Sequence, residues 1–151
     1  METDNFKIKP FVQAYRNQLL TVWERSVLAS HDFLDRKDFG EISKLMSGVD
    51  FDNFGVYCLM TRSTMAGFIG VDGEKIEMLF IDPTYFGQGY GRKLIDFAIS
   101  VLEAKHVDVN EQNIAALAFY RNMGFEVFER TEKDELGMNY PLLKMKLVKV
   151  R

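Results

Sequence analysis

Apolar and polar positions along the chain follow two spacings, one typical of helices and one typical of strands. Apolar residues recur at helical spacing in four segments, which are Gln13–Ser30, Asp35–Met46, Leu94–Leu102 and Asn113–Met123. Short apolar runs bounded by turn residues predict strands at Phe6–Phe11, Val56–Thr61, Met65–Val71, Lys75–Ile81, His106–Val109, Glu126–Arg130 and Leu143–Val148. No internal repeat or low-complexity linker separates these elements, so the pattern predicts one α/β domain over residues 1–151.

The most informative segment lies between positions 75 and 93, where a strand, a turn, a glycine-rich loop and a helix follow one another. The strand Lys75–Ile81 ends in a continuous apolar run, which is expected of a strand covered on both faces. Asp82-Pro83 ends the strand, and glycines follow at alternate positions: Gly87, Gly89 and Gly91. Glycine lets the backbone approach a ligand closely, and the N-terminus of the next helix attracts negative charge. We therefore expect this turn to bind phosphate.

The spacing of the glycines argues against two common phosphate ligands. A Walker-type loop places a lysine and a Ser or Thr directly after its last glycine, whereas Gly91 is followed by Arg92-Lys93-Leu94. A dinucleotide fingerprint needs a longer gap before its third glycine and an acidic residue on a following strand. The loop alone also fits an ordinary tight connection between a strand and a helix, so that interpretation stays open at this point.

Length, cysteine content and histidine content favour a domain that needs neither disulfides nor metal. A chain of 151 residues can bury a sizeable core by itself. The single cysteine, Cys58, lies in an apolar run and favours a buried structural thiol in a cytoplasmic protein. The two histidines, His31 and His106, lie far apart in the sequence without the spacing of metal ligands. We therefore expect no metal.

Charge and hydropathy argue against two classes of partner. The formal net charge of −3 disfavours broad binding to nucleic acid, which depends on basic patches. No apolar stretch approaches the ~20 residues needed to span a bilayer, and the first residues lack the order of a signal peptide. We expect neither nucleic acid nor membrane as a partner, and an acidic surface is compatible with a cationic amine.

A second motif shows which family the chain resembles. Residues 113–125 follow the pattern N-x-x-A-x-x-F-Y-x-x-x-G-F. Together with the glycine loop, this pattern resembles the GNAT superfamily of acyl-CoA-dependent N-acetyltransferases. The family's loop signature, R/Q-x-x-G-x-G/A, falls on Phe86–Gly91, with Phe86 where the family usually has Arg or Gln. This departure removes one polar contact to the cofactor, and Arg92 and Lys93 could replace the lost charge.

The resemblance covers nearly the whole chain and is strongest to the small bacterial YjaB-type subgroup. The matching features occur in order and without large gaps. They are Trp23 with Arg25-Ser26-Val27, His31-Asp32-Phe33-Leu34, Val109-Asn110-Glu111-Gln112-Asn113, Asp134-Glu135-Leu136-Gly137 and Tyr140-Pro141-Leu142.

The resemblance implies both an architecture and an activity. The expected fold is a mixed, mostly antiparallel, twisted sheet of about six to seven strands flanked by about four helices and splayed at the strand Ile76–Ile81 to hold the CoA arm. The expected activity moves the acetyl group of acetyl-CoA to a primary amine by direct attack in a ternary complex. The acceptor is a small-molecule or peptide amine, and the enzyme is a monomer or a homodimer. The alternative is a catalytically weak or inactive CoA-binding sensor or interaction module on the same fold.

The resemblance places a general acid at Tyr120. A phenol has a pKa of ~10 against ~8.5 for a thiol, so proton transfer to the leaving thiolate is only modestly uphill. In the family pattern a tyrosine at this place faces the sulfur atom. The alternative is that Tyr120 simply belongs to the buried face of its helix, together with Ala116 and Met123.

The general base is expected to be a carboxylate. Side chains alternate along a strand, so Glu77 is expected to share a face with Leu79 and Ile81. An acidic residue there is costly unless it is paired or functional, which makes Glu77 the leading candidate. The alternatives are that Glu77 is an exposed carboxylate at the rim, or that Glu111 is the base. Glu111 also fits a solvated loop charge.

Cofactor binding is expected to rest mainly on backbone groups. The resemblance implies that Leu79 and Ile81 pair with the pantetheine arm and that one of these N–H groups polarises the thioester carbonyl. Asn113 fits both a pantetheine contact and a helix N-cap. The full predicted set is Leu79, Phe80, Ile81, Phe86, Gly87, Gln88, Gly89, Tyr90, Gly91, Arg92, Lys93 and Asn113.

Acceptor recognition is expected from the first two helices and from the loop before the last strand. Aromatic side chains beside a carboxylate form a suitable setting for a cation. The candidates are Trp23, His31, Asp32, Phe33 and Tyr140. Each of these residues alone also fits a core or capping role.

Overall fold

The computed structural model describes residues 5–30, 34–62 and 64–148, which form a seven-stranded sheet with helices on both faces. The strands are β1 (Phe6–Pro10), β2 (Gly55–Thr61), β3 (Thr64–Asp72), β4 (Lys75–Ile81), β5 (His106–Asn110), β6 (Phe125–Thr131) and β7 (Leu142–Leu147). The α-helices are α1 (Arg16–Ser30), α2 (Arg36–Ser47), α3 (Tyr90–Ser100) and α4 (Ile114–Asn122). Two short 3-10 helices cover Gln13–Tyr15 and Pro83–Tyr85. The predicted elements are confirmed, with boundaries that shift by at most four residues.

Polar side chains mark where two of the helices begin. The carboxylate of Asp35 accepts a hydrogen bond of 2.8 Å from the backbone N–H of Asp38 at the start of α2. The side-chain oxygen of Asn113 accepts one of 3.1 Å from the N–H of Ala116 at the start of α4. Each cap satisfies a backbone donor that has no partner within its helix.

The sheet opens between its two central strands. Its order is β1-β2-β3-β4-β5-β7-β6, and every neighbouring pair is antiparallel except β4 and β5. The parallel pair is joined only where Lys75 meets His106 and Ile76 meets Val107. Beyond these residues β4 and β5 diverge and leave a gap, which confirms the predicted mostly antiparallel sheet splayed at β4.

A β-bulge interrupts β4 at the point where the gap begins. The register with β3 pairs Gly70 with Met78 and Val71 with Ile76. Glu77 lies between these pairs without a partner of its own on β3. Such an extra residue bends the strand and redirects the side chains around it.

The bulge changes which side chains of β4 share a face. Ile76 packs in the same core as Leu79 and Ile81, three and five residues further on. Strict alternation would instead have put Glu77 on that face. The expectation that Glu77 shares the face of Leu79 and Ile81 is therefore wrong, because the extra residue resets the alternation.

Each face of the sheet carries its own apolar core. One core packs α3 and α4 against the sheet, and its fully buried members include Ile69, Leu94, Ile95 and Met145. The other packs α1 and α2, and includes Leu19, Phe51, Phe68 and Cys58. Burial raises the pKa of the Cys58 thiol to about 12, which confirms the interpretation of a buried structural thiol. No helix within the described ranges is long and apolar enough to cross a bilayer.

The strands β1 and β6 form the two edges of the sheet. On β6, Val127 pairs with Met145 and Glu129 with Lys144, so Phe128 is the extra residue of a second bulge. Its half-exposed ring lies 5.7 Å from the ammonium of Lys146. A bulge on an edge strand discourages pairing with another chain.

Candidate active site

The gap between β4 and β5 forms a cavity of ≈ 200 Å³. Both strands and the first turns of α4 contribute to its wall. Its lining includes five residues with predicted roles: Glu77, Leu79, Phe80, Asn113 and Tyr120. The bulge in β4 and the divergence of β5 create this space in the middle of the sheet.

The backbone of β4 offers hydrogen-bonding groups to the gap. The N–H of Asp82 donates to the carbonyl of Ala66 on β3 at 2.8 Å. In an antiparallel ladder, alternate residues direct their N–H and C=O groups to opposite edges. Positions 78, 80 and 82 therefore bond to β3, and the N–H and C=O groups of Leu79 and Ile81 face the gap.

The glycine loop turns the chain from β4 into α3. Gly87 and Gly89 have φ angles of +79° and +82°, in the left-handed region that side chains disfavour. Gly89 is the N-cap of α3, and its carbonyl accepts a hydrogen bond of 3.1 Å from the N–H of Lys93. A β-carbon at Gly91 would lie 3.5 Å from the ring of Phe119, at ordinary van der Waals distance, so α3 and α4 meet at this position without requiring glycine.

A larger cavity of ≈ 530 Å³ extends from the gap to this loop. It brings together most of the predicted cofactor residues: Leu79, Phe80, Ile81, Phe86, Gly87, Gly89, Tyr90, Gly91, Arg92 and Asn113. Its lining also includes residues that the sequence reasoning did not select: Ser26, Ser30, Tyr85, Ala115, Ala116 and Phe119. The two serines belong to α1, and no sequence motif in α1 indicates that it contacts a cofactor.

Two predicted cofactor residues are not among those that line this cavity. Gln88 lies exposed in the loop between its two glycines. The ammonium of Lys93 lies 5.0 Å from the centre of the Phe6 ring on β1. Of the two predicted cationic residues, Arg92 lines the cavity and Lys93 does not. Phe86 also lines the cavity, and the residue is 47% exposed.

Tyr120 lies where the gap and the larger cavity meet, because it lines both. The residue is buried, and its ring makes edge contacts with Phe119 and Phe125. Burial raises the pKa of its phenol above the ordinary value. The hydroxyl therefore stays protonated at neutral pH, as a proton donor must.

Asn113 combines the two roles that its sequence position suggests. Its side-chain oxygen caps α4, and the residue lines both the gap and the larger cavity. The cap holds the first turn of α4 at the entrance to the gap.

Glu77 lines the same gap as Tyr120 and lies among other charged groups. Its carboxylate is 3.9 Å from the ammonium of Lys75, which is 2.9 Å from both Asp108 and Glu135. Burial raises the pKa of Glu77, Lys75 opposes the rise, and the carboxylates of Glu135 and Asp108 add to it. The net effect is a raised pKa, which makes Glu77 a stronger base than an ordinary glutamate.

Glu111, the other candidate base, is engaged elsewhere. Both of its oxygens accept hydrogen bonds from Arg130, at 2.8 and 2.9 Å. These bonds lower the pKa of Glu111. A carboxylate held in this way is a weak proton acceptor.

A third cavity, of ≈ 140 Å³, lies on the α1 and α2 side of the sheet. It is lined by Trp23, Val27, Leu34, Ile42, Phe80, Asn110, Asp134 and Tyr140. The structure thus brings together two predicted acceptor residues, Trp23 and Tyr140. The other three, His31, Asp32 and Phe33, lie outside the described residues.

The aromatic residues of this cavity are held by named partners. The ring of Trp23 stacks on Phe39 with centroids 5.6 Å apart. The hydroxyl of Tyr140 donates to Asp38 at 2.5 Å and accepts from the N–H of Asp35 at 3.3 Å. Tyr140 therefore connects the loop between β6 and β7 to the start of α2.

The structure places at the site two residues that were not predicted as site residues, Asn110 and Arg25, and the predicted cofactor residue Phe80 lines more than one cavity. Phe80 lines all three cavities, and Asn110 lines the gap and the third cavity. Arg25 of α1 forms an ion pair of 2.8 Å with Asp82. The pairing of positions 25 and 82 depends on the tertiary fold, so sequence spacing could not reveal it.

The cavity and the free edge of β4 suit an extended ligand that carries both amide groups and phosphate. Leu79 and Ile81 supply strand-like hydrogen bonds, and the glycine loop with Arg92 lies at the start of α3. Among the described residues, no group of three His, Cys, Asp or Glu side chains is arranged to hold a metal ion.

Comparison with known proteins identifies the family. A family model described as an acetyltransferase (GNAT) domain matches residues 48–148. The chain belongs to the GNAT acetyltransferase family. The match includes β4, the glycine loop, α3, β5 and α4, which form the gap and most of the lining of the larger cavity.

The relatives also confirm the predicted subgroup. The chain is 40% identical over 130 residues to the peptidyl-lysine N-acetyltransferase YjaB of Salmonella typhimurium, covering 85% of this chain and 88% of the relative. The solution structure of apo YjaB from Escherichia coli superimposes with a TM-score of 0.86 and 34% identity, over 96% of this chain and 99% of that one. The PaiA N-acetyltransferase of Thermoplasma acidophilum, solved with coenzyme A, shares the fold at a TM-score of 0.70 and 18% identity, over 93% of this chain and 98% of that one.

These findings confirm the predicted class of reaction. The protein is an acetyltransferase that uses acetyl-CoA as its acetyl donor and an amine as its acceptor.

Proposed function

We propose that this enzyme acetylates the side-chain amine of lysine in a peptide or protein, with Tyr120 as general acid and Glu77 as general base. The observation that carries the proposal is that Glu77 and Tyr120 line one gap, onto which the backbone N–H groups of β4 open. The acceptor is supported by the relatives, which are named peptidyl-lysine N-acetyltransferases.

The cofactor is held mainly by main-chain groups. Acetyl-CoA supplies an acetyl thioester at the end of an arm that contains two amides. Leu79 and Ile81 bind this arm as an additional strand partner of β4, and Asn113 contacts it from the start of α4. The glycine loop and Arg92 bind the diphosphate at the N-terminus of α3. A backbone N–H of β4 polarises the thioester carbonyl, and loss of one such donor typically costs ~2.7–4 kcal/mol of transition-state stabilisation.

The two side chains in the gap move the protons. The lysine ammonium first releases one proton to solvent. Glu77 then accepts a proton from the neutral amine as its nitrogen forms a bond to the acetyl carbon and the carbon–sulfur bond breaks, and Glu77 returns that proton to solvent afterwards. Tyr120 donates its hydroxyl proton to the departing sulfur and regains a proton from solvent. The raised pKa of each group suits its task, because Glu77 must accept a proton and Tyr120 must hold one until the sulfur leaves.

The acceptor enters from the α1 and α2 side. The third cavity has apolar walls, including Trp23 and Val27, which suit the aliphatic stem of a lysine side chain. Asp134 and Asn110 lie in the same lining and attract the charged amine. Phe80 lines both this cavity and the gap, so it lies on the route from one to the other.

The lone buried thiol of Cys58 supports a reducing, cytoplasmic setting. We infer a monomer or a homodimer that works as one domain. The bulge at Phe128 on β6 discourages dimer formation through that edge.

The test is acetyl transfer to a peptide with one internal lysine and a blocked N-terminus. The parent is expected to acetylate the lysine, and Tyr120→Phe to lose about 10²–10⁴-fold in kcat because the proton donor is gone. Calorimetry should show that Tyr120→Phe still binds acetyl-CoA. The matched control, Tyr57→Phe, changes a tyrosine that packs on Phe97 and should keep parental turnover.

Three outcomes would contradict parts of the proposal. Parental turnover in Tyr120→Phe would disprove the acid role. Transfer only to a peptide with a free α-amine and no lysine would disprove the lysine acceptor. Binding of acetyl-CoA by the parent without transfer to either peptide would favour the sensor alternative.

A further inference from the structure

We propose that Arg25 is a positioning residue for the cofactor: it holds the start of the glycine loop in place through Asp82 and so sets the affinity for the diphosphate part of acetyl-CoA. The inference rests on the proposed cofactor cavity, and it is independent of the catalytic roles of Glu77 and Tyr120. Arg25 lies on α1, 57 positions before its partner.

The contact between Arg25 and the loop has three hydrogen bonds. Its Nε donates to Oδ2 of Asp82 at 2.8 Å, and its Nη2 donates to Oδ1 at 3.3 Å. Nη2 also donates to the hydroxyl of Thr84 at 3.2 Å. A planar guanidinium matches a carboxylate in this two-pronged arrangement, which a lysine cannot reproduce.

Asp82 connects this contact to the backbone at the end of β4. Its own N–H donates to the carbonyl of Ala66 at 2.8 Å, and its Oδ1 accepts from the N–H of Thr84 at 2.9 Å. Its carbonyl accepts from the N–H of Tyr85 at 2.8 Å. Asp82 therefore lies between Ile81, whose N–H faces the gap, and the loop that reaches Gly87 five residues later.

The charge of Asp82 explains why it needs a partner. The residue is only 9% exposed, and a buried carboxylate without a partner is costly. Burial alone would raise its pKa, but the hydrogen bonds from Arg25 and from the N–H of Thr84 outweigh this effect and lower it. The aspartate is therefore charged at neutral pH and holds both the guanidinium and the loop.

The side of α1 next to Arg25 faces the same cavity. Ser26 and Ser30, which follow Arg25 on α1, line it together with Phe86 and Gly87. The loop residues Phe86, Gly87 and Gly89 are themselves largely exposed. The Arg25 contact thus ties an exposed loop to a helix that already forms a wall of the cofactor cavity.

The experiment compares binding of two donors to the full chain. Calorimetry measures acetyl-CoA, and NMR titration measures S-acetylpantetheine, which lacks the diphosphate. Arg25→Gln and Asp82→Asn should raise the Kd of acetyl-CoA by roughly threefold to thirtyfold, the range seen for residues that act on a site through another residue. The Kd of S-acetylpantetheine should stay at the parental value, because its contacts are on β4.

Two comparisons separate positioning from general stability. The double variant Arg25→Gln/Asp82→Asn should bind acetyl-CoA about as well as the weaker single variant, since both changes remove one contact. Arg25→Lys, which keeps the charge, should recover part of the affinity and provides a milder change if Arg25→Gln folds poorly. The control is Arg16→Gln on the same helix, whose guanidinium donates to the carbonyl of Ser47 at 2.6 Å and not to the loop.

The proposal would be overturned if Arg25→Lys and Arg25→Gln bound acetyl-CoA as tightly as the parent. It would also be overturned if they weakened both donors equally, because the pair would then only support the packing of α1. Neither result bears on transfer to lysine, so this inference and the proposed function can fail separately.

Discussion

Glu77 and Tyr120, two ionisable residues of the gap, differ from an ordinary glutamate and tyrosine because of where they lie. Glu77 is an extra residue on a bulge beside Lys75, and Tyr120 is buried between Phe119 and Phe125. Both pKa values are raised. For Glu77 the main cause is burial, to which neighbouring carboxylates add, and for Tyr120 the cause is burial alone. Glu77 must lose its proton before it can act, whereas Tyr120 keeps its proton beyond the neutral range.

Glu77→Gln is expected to remove the acidic limb of the pH–rate profile. In the parent, kcat/KM should rise with pH as Glu77 ionises, with a midpoint above the ordinary glutamate pKa of about 4.3. The direction follows because a raised pKa shifts loss of the proton to higher pH. The measurement is kcat/KM for the lysine peptide from about pH 5 to about pH 9, which covers the region where a carboxylate of raised pKa ionises.

Glu111→Gln is the matched control for that profile. Glu111 is hydrogen-bonded by Arg130 and has a lowered pKa, so this change should leave the acidic limb in place. If the acidic limb persisted in Glu77→Gln and vanished in Glu111→Gln, the base would be Glu111 and the assignment to Glu77 would be wrong.

Among the elements, β4 fixes the position of the gap. It is antiparallel to β3 along its length and parallel to β5 over two residue pairs only. The close approach of β3 behind it depends on Gly67. A β-carbon there would lie 2.7 Å from the carbonyl oxygen of Phe80 and 2.6 Å from Cδ1 of Ile81.

Gly67→Ala is therefore expected to displace β4 and reduce both stability and cofactor binding. The backbone oxygen of Phe80 cannot turn away as a side chain can, so the strand itself must shift. Overpacking of this kind typically costs about 1–3 kcal/mol of unfolding free energy. Urea denaturation measures that loss, and calorimetry with acetyl-CoA measures the accompanying rise in Kd.

Gly40→Ala serves as the control within the same chain. Gly40 lies in α2, and a β-carbon there would meet nothing within 4 Å. The change should leave binding unaltered and stabilise the helix by about 1 kcal/mol, the difference in helix propensity. Equal stability and affinity for Gly67→Ala and the parent would show that β4 tolerates the displacement.

At the scale of the whole molecule, cofactor binding should stabilise the fold selectively. Ligands that bind across β4, the glycine loop and α4 connect three elements of the native state that are separate in the unfolded chain. Acetyl-CoA or CoA at a hundredfold its Kd adds about 2.7 kcal/mol, which corresponds to about 5–10 °C for a chain of this size. NAD and ATP should leave Tm unchanged, because the loop lacks the spacing that their motifs require.

The measurement is the melting temperature with each of the four ligands in parallel. A shift with both CoA species alone is the expected result. A larger shift with ATP or NAD would contradict the assignment of the cavity.

Much of the fold and part of the site could be predicted from the sequence because their signals are local. Helix and strand periodicity, the Asn113 cap and the glycine spacing each depend on neighbours within a few residues. The motif at Asn113–Phe125 also assigned Tyr120 to the site. The prediction of the face on which Glu77 lies was wrong because a bulge has no periodic signature in the sequence. One extra residue moves the side chains that follow it to the opposite face from the one that strict alternation predicts.

The sequence by itself determined the order of the elements, the glycine-rich loop between β4 and α3, the buried thiol and the family to which the chain belongs. Only the tertiary structure decided that β5 leaves β4 after Ile76, that Lys93 packs on Phe6, and that Arg25 reaches Asp82. The physical reason is the distance along the chain over which each interaction acts. Backbone preference and periodicity act over a few residues, whereas the gap, the cavities and the long-range ion pair exist only after distant segments pack together.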